Sequence, residues 1–243
     1  MMSKKLFFGF VLMLTMAFLS YAQEYNAETD FKYEIIEGGK AVRVTGYTWT
    51  KNVIRIPPRI QNLPVIEIGD DAFSYLGRSG IQIINVSIPD SVTKIGSGAF
   101  SLNLLTNIII PDSVTYIGNH AFAYNRLTNL IIPDSVTHIG DGAFSTNQIT
   151  SISISNNIRT VQKLLFANNS LSTIVIPDSV TLIDEMAFLR NPLTSIVIGA
   201  NVVIKTQVDY PTFANGFDNF YNTQGRKAGT YTYRNGQWSA QFK

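Results

Sequence analysis

Residues 110 to 131 read Ile110-Pro111-Asp112-Ser113-Val114-Thr115-Tyr116-Ile117-Gly118-Asn119-His120-Ala121-Phe122-Ala123-Tyr124-Asn125-Arg126-Leu127-Thr128-Asn129-Leu130-Ile131, and closely similar wording begins at Ile88, Ile132, Ile154 and Ile176. The period is 22 residues. Its columns align without gaps: Phe100, Phe122, Phe144, Phe166 and Phe188 form one, Asn103, Asn125, Asn147, Asn169 and Asn191 another, and Pro89, Pro111, Pro133 and Pro177 a third. A fixed period of this size marks a stacked solenoid, in which each unit buries its apolar face only against its neighbours.

Within a unit, Leu105, Ile108 and Ile110 give an apolar pattern that Pro111, lacking an N–H, brings to an end, which predicts a short parallel strand over 105–110. Alternation turns Asn107 and Ile109 to the opposite face, together with Asn129 and Ile131, Ser151 and Ser153, Thr173 and Val175, and Ser195 and Val197 in the following units. These pairs predict a broad, shallow, uncharged surface, the first candidate for binding a protein or an extended chain. A second short strand is expected over 92–96 on the other side, after which Ala99 and Phe100 turn inward. The second candidate surface is a loop edge carrying Tyr75, Arg78, Tyr124, Arg126 and Arg190, because Tyr and Arg are the types that anchor interfaces.

Other columns have plainer uses. Asparagine amides at a turn bond neighbouring backbone groups, so the Asn column is expected to be structural. Asp90, Asp112, Asp134 and Asp178 would lie roughly 4.8 Å apart, a spacing that calcium could exploit, but Asn156 and Ala200 interrupt the column and an Asx-type turn after proline is the expected role. His120 and His138 fall in different columns, with no cysteine to complete a zinc site. Ser97 lies between Gly96 and Gly98 with no histidine or acid placed to activate it. No metal, cofactor or catalytic group is expected.

The ends read as caps. Tyr33 to Ile36 and Ala41 to Val44 flank Gly38-Gly39 as a hairpin, and Gly229 to Arg234 meets Gln237 to Phe242 across Asn235-Gly236, a dipeptide suited to a type I′ turn. From Ile56 to Ile88 the first unit is ten residues too long, so loops should bulge around 61–65 and 75–80. The unit beginning at Ile154 is degenerate, with Ser155, Gln162 and Leu165 replacing Pro, Gly and Ala. Gln162 and Asp184 stand in the column of Gly96, Gly118 and Gly140, so a positive φ is not obligatory there. The expected division is a signal peptide at 1–22, an N-terminal capping hairpin at 23–55, repeats at 56–204 and a C-terminal cap at 205–243.

Lys4 and Lys5 precede an apolar run from Leu6 to Leu19, and Ser20-Tyr21-Ala22 supplies small residues before a cut. Fourteen residues make about 21 Å of helix, short of the roughly 30 Å hydrocarbon core, so the mature chain is expected to carry no transmembrane anchor. The chain has 19 basic and 17 acidic residues, and the two leader lysines account for the excess. A neutral mature protein without a basic run is not expected to bind nucleic acid. Cysteine is absent, which excludes disulfides, thiolate metal sites and a lipid-modified cysteine.

The wording Ile-Pro-Asp-Ser-Val-Thr-x-Ile-Gly-x-x-Ala-Phe resembles the BspA-like bacterial surface-antigen class of leucine-rich repeats, from Ile56 to about Ile204. The stretch from Tyr221 to Tyr233 resembles a short module that follows such repeats. Many family members carry Cys where this chain has its Asn column. The resemblance implies a leucine-rich-repeat solenoid, mostly β, with parallel strands, right-handed and horseshoe-like. It implies a scaffold exported through the inner membrane that binds proteins, host matrix or surface components among them, without catalytic residues or cofactor. Whether the protein stays periplasmic or is secreted or displayed is left open. A carbohydrate-binding alternative rests on Tyr221, Tyr231, Tyr233 and Trp238, for which cap packing is the plainer expectation.

Overall fold

A column of identical aromatic residues predicts one ring per turn at the centre of the stack. The computed structural model describes residues 25–48, 50–76, 81–206 and 211–242; the expected leader and Arg78 lie outside the described residues. Phe73, Phe100, Phe122, Phe144, Phe166, Phe188 and Phe213 are fully buried and stack in series with centroids 4.9–6.0 Å apart and planes within 23° of parallel. Seven rings mark seven turns of a parallel-strand solenoid. The first and last come from outside the five regular units, Phe73 from the enlarged unit and Phe213 from the C-terminal segment.

The asparagine column forms a seam beside the rings. Asn125 Oδ1 accepts from the Leu105 N–H at 3.0 Å, while its Nδ2 donates to the Phe100 carbonyl of the preceding turn at 2.9 Å and to its own Phe122 carbonyl at 3.2 Å. The same three bonds recur at Asn103, Asn147, Asn169 and Asn191. All five asparagines are buried, so their structural reading holds. Backbone bonds run alongside, from Phe73 N to Ala99 O and onward through every turn to Phe188 N and Thr212 O, at 2.8–3.1 Å.

Two strand ladders flank the core. On the back, Lys94–Ile95, Tyr116–Ile117 and His138–Ile139 pair in parallel, and so do Thr160–Val161, Leu182–Ile183 and Val203–Ile204. Between these groups the ladder is interrupted. Glycine explains the close approach elsewhere: a Cβ on Gly118 would stand 2.5 Å from Ser97 N, and one on Gly140 2.5 Å from Asn119 N. Neither residue has a positive φ. At Gln162 that Cβ is present, and there the ladder opens and the ring spacing reaches its maximum, 6.0 Å between Phe144 and Phe166. Asp184, the other non-glycine, keeps its backbone bond to Val161 at 2.8 Å.

The front ladder is in pieces. Val53–Arg55 pairs with Asn85–Ser87, Asn129–Ile131 with Ser151–Ser153, and Thr173–Val175 with Ser195–Ile198, all parallel. The expectation of a strand in every unit fails at 107–109, which has no ladder partner on either side. The pairing of Val53 with Asn85 skips 32 residues, and part of the excess folds out as a small antiparallel hairpin, Arg59–Ile60 with Leu63–Ile68, around Gln61 and Asn62 at φ 50 and 61. The Pro-Asp-Ser-Val turns close through backbone bonds such as Val114 N to Pro111 O at 3.0 Å. This replaces the Asx bond expected of the aspartates, which are exposed.

The two ends close differently. Phe31–Ile36 and Ala41–Tyr47 form an antiparallel hairpin whose second strand joins the back ladder, Val42 opposite Val65 and Val44 opposite Ile68, and Phe31 and Tyr47 cover the Phe73 ring. At the other end Gly229–Arg234 pairs antiparallel with Ser195–Ile198 on the front and turns back as Gln237–Phe242. Asn235 and Gly236 have φ 51 and 80, as a type I′ turn demands. The short helix Phe217–Thr223 places Phe217 against Phe213, Tyr231 and Trp238. Asp218 there accepts from the Thr212 and Phe213 N–H groups at 2.9 and 3.2 Å. No described helix is long and apolar enough to cross a membrane.

Asn125→Ala strands the buried Leu105 N–H at about 1–3 kcal/mol, while the Phe100 and Phe122 carbonyls keep the Asn103 and Asn147 amides as donors. Its thermal midpoint should fall by several degrees, whereas exposed Thr128→Ala should change stability by less than about 0.5 kcal/mol, and chemical denaturation of both variants decides. Burial pushes the Asp218 carboxyl up to about 6 against the pull of its two N–H donors. Between its ordinary value of 3.8 and about 6 the folded chain therefore holds a proton that the unfolded chain has released, and stability declines as pH rises through that window. Melting at about pH 4 and pH 7 should show this loss, at most about 3 kcal/mol, and Asp218→Asn should flatten it.

Candidate interaction face

On the front, residues two apart point the same way, so the chain fixes which side chains meet solvent. Asn107, Ile109, Asn129, Ile131, Ser151, Ser153, Thr173 and Val175 are exposed, whereas Ser195 and Val197 are half-buried. The difference lies in their neighbours, since Gly229–Arg234 pairs alongside the last repeat strand. All ten occupy one face. Ile109, Ile131 and Val175 are 77, 72 and 64 % exposed, unusual for β-branched apolar side chains that could equally have been Ser or Thr.

The unpaired stretch at 107–109 leaves a groove on each side. One, of about 540 Å³, runs between Asn85–Ser87 and Asn107–Ile109 and reaches Pro89 and Asp90. The other, of about 380 Å³, lies between Ile109 and Ile131 and reaches Asp112. The floors are Val86, Ile108 and Leu130, all buried. Exposed aspartates Asp90, Asp112, Asp134 and Asp178 follow the strands and form an acidic rim. Asn156 N and Nδ2 bond the Asp134 carboxylate and hold it below the usual carboxylate range. Arg126 and Arg190 precede the strands and stand at the opposite rim. The ten positions are thus uncharged and partly apolar, with aspartates along one border, Arg126 and Arg190 set apart on the other, and exposed Arg55 on the first front strand.

The loop-edge candidates do not form one patch. Tyr124, 55 % exposed, and Arg126 share a turn, but Arg190 stands three coils away, where its Nη1 donates to Asn168 Oδ1 at 3.4 Å, and Tyr75 is half-buried. Arg78 lies outside the described residues. Of the aromatic set proposed for sugars, Tyr221 and Tyr231 are committed to packing: they are fully buried, and their hydroxyls donate to the Gly199 and Lys227 carbonyls at 2.6 Å, whereas Tyr233 and Trp238 are half-buried. Trp238 lies against Phe217 and Tyr233 and donates its Nε1–H to the Asn215 carbonyl at 2.9 Å. The histidines are apart as well. His138 stacks on Tyr116 in the back ladder, and the His120 ring occupies the space where Gly142 lacks a Cβ. The grooves were the feature missed, because an absent ladder bond leaves no mark in the residues that would have made it.

A family model described as a BspA type leucine rich repeat region matches residues 66–195 in 6 copies. No curated protein matches the chain. Among solved structures, the pneumococcal vaccine antigen PcpA is 22% identical with a TM-score of 0.55, covering 76% of this chain and 50% of its own, so this chain spans half of that one. A leucine rich repeat protein of T. pallidum is 20% identical with a TM-score of 0.49, over 60% of this chain and 78% of that one. A leucine-rich repeat protein from Bacteroides ovatus is 22% identical with a TM-score of 0.44, over 77% and 68%. With the 22-residue columns, the ring stack and this match over more than half its length, the chain belongs to the BspA-type leucine-rich repeat family.

Proposed function

We propose that this protein is an exported scaffold, secreted or displayed at the cell surface, that binds a protein partner through its front strand face, with host matrix or surface proteins as the partner class. The family is one of repeat scaffolds typically used for protein interaction. The observation that carries the reading is the pair Ile109 and Ile131, adjacent across a groove and 77 and 72 % exposed. Neither packs the core, so their apolar character serves nothing within the monomer; an interface centre needs such residues, with polar and charged ones at its rim. Asn107, Asn129, Ser151, Ser153 and Thr173 supply adaptable hydrogen bonding around them, and Val175 extends the apolar strip. Export rests on the leader at 1–22.

The test is binding of the mature protein, residues 23–243, to a panel of extracellular-matrix proteins beside the double variant Ile109→Glu, Ile131→Glu. Both positions face solvent, so the variant should melt as the parent does, within about 0.5 kcal/mol. A saturable wild-type interaction lost in the variant supports the front face. Full binding by a folded variant overturns it.

A further inference from the structure

Among the described residues, each terminal hairpin leaves its outer strand with one unpaired edge, since Phe31–Ile36 pairs there only with Ala41–Tyr47 and Gln237–Phe242 only with Gly229–Arg234. Such edges invite association, and proteins blunt them with charge and bulges. The N-terminal edge is blunted: Lys32 and Glu34 are exposed on it, and its register slips between Lys32 and Tyr33. The C-terminal edge has no such device. Gln237-Trp238-Ser239-Ala240-Gln241-Phe242 contains no charge, proline or glycine and pairs residue for residue without a shift.

The two-residue turn at Asn235-Gly236 decides which backbone groups are free. Arg234 and Gln237 flank it as a hydrogen-bonded pair, and alternation gives Thr232 with Ser239 and Thr230 with Gln241 the same status. The N–H and C=O groups of Trp238, Ala240 and Phe242 therefore point away from the hairpin. We propose that this edge pairs antiparallel with the same edge of a second copy of the chain, Ala240 lying on the two-fold axis.

Self-complementarity selects that partner. Only residues with outward backbone groups can exchange bonds, and the register centred on Ala240 is the one in which all three find a counterpart: Ala240 meets itself, and Trp238 meets Phe242 of the second copy. Phe242, 43 % exposed in the monomer, then lies across from an indole, the type of cross-strand aromatic pair that stabilises sheets. On the opposite face Ser239 meets Gln241, polar against polar, with no like charges opposed. The two four-stranded front sheets become one continuous sheet, and the dimer holds two copies of the front face in fixed relation.

The mature protein is examined by sedimentation velocity over a concentration series, with amide exchange read by NMR. Wild type should show a reversible monomer–dimer equilibrium, and exchange at Trp238, Ala240 and Phe242 should slow as concentration rises while Ser239 and Gln241 are protected throughout. The variant Ser239→Lys, Gln241→Lys opposes lysines on both sides of the axis and should weaken dimerisation at least about tenfold. Ser239→Glu, Gln241→Lys keeps the charges opposite in that register and should restore it, with melting near that of the parent in both. A wild-type monomer at the highest attainable concentration overturns the proposal, as does a dimer indifferent to the paired lysines.

Discussion

The rise of this solenoid is set by a side-chain amide. Each column asparagine satisfies a backbone N–H and a carbonyl of the preceding turn and a carbonyl of its own, in a region where water cannot substitute and an unpaired group is costly. Because the amide and the stacked phenylalanine sit in the same corner of the coil, hydrogen bonding and ring contact impose one spacing, and successive turns have little freedom to slide there. Cysteine at this column would make weaker bonds. Here the amide accepts through its oxygen and donates through its nitrogen five times over.

A seam this well determined lets the other two sides vary. Where Gln162 takes the place of glycine the back ladder opens, yet Asn169 still bonds the Phe144 carbonyl at 3.0 Å and Ile149 still donates to its Oδ1 at 2.9 Å. On the front, 107–109 lies between two strands and bonds neither, and the turns above and below remain in register at the seam. Front side chains are thus released from holding the coils together. Ile109, Ile131, Ser153, Val175 and Val197 occupy equivalent positions, four of them β-branched and apolar and one a serine, a variation the scaffold tolerates because it is maintained elsewhere.

The columns made the turns, the buried phenylalanines, the amide seam and both hairpins legible in the residues, because each follows from a local period or a turn dipeptide. Pairing was less legible. Leu105 to Ile110 and Leu127 to Ile132 differ by a single letter, Ile108 against Leu130, and only the second lies in a ladder. The cause is the neighbour: 107–109 adjoins the enlarged unit on one side, and a strand's partner is a property of two segments. The glycine column was half legible. Substitution by Gln162 and Asp184 showed that φ was not the constraint, but the approach of the preceding backbone needs coordinates. The aromatic residues near the C-terminus illustrate the opposite hazard, for Tyr and Trp serve sugars and cores alike, and only burial separates the two uses.

The ends differ in a way that bears on the face between them. The N-terminal hairpin adds its strands to the back ladder, so the front begins abruptly at Val53–Arg55. The C-terminal hairpin adds its strands to the front, continuing the last repeat strand by two more. One hairpin therefore closes the core without touching the candidate face, while the other enlarges that face and half-buries its last pair, Ser195 and Val197. A cap that only excluded water from Phe213 could have been built on either side. Building it on the front places polar Thr230, Thr232, Ser239 and Gln241 in one sheet with Thr173–Val175 and Ser195–Ile198, so capping and the last part of the candidate face share that sheet.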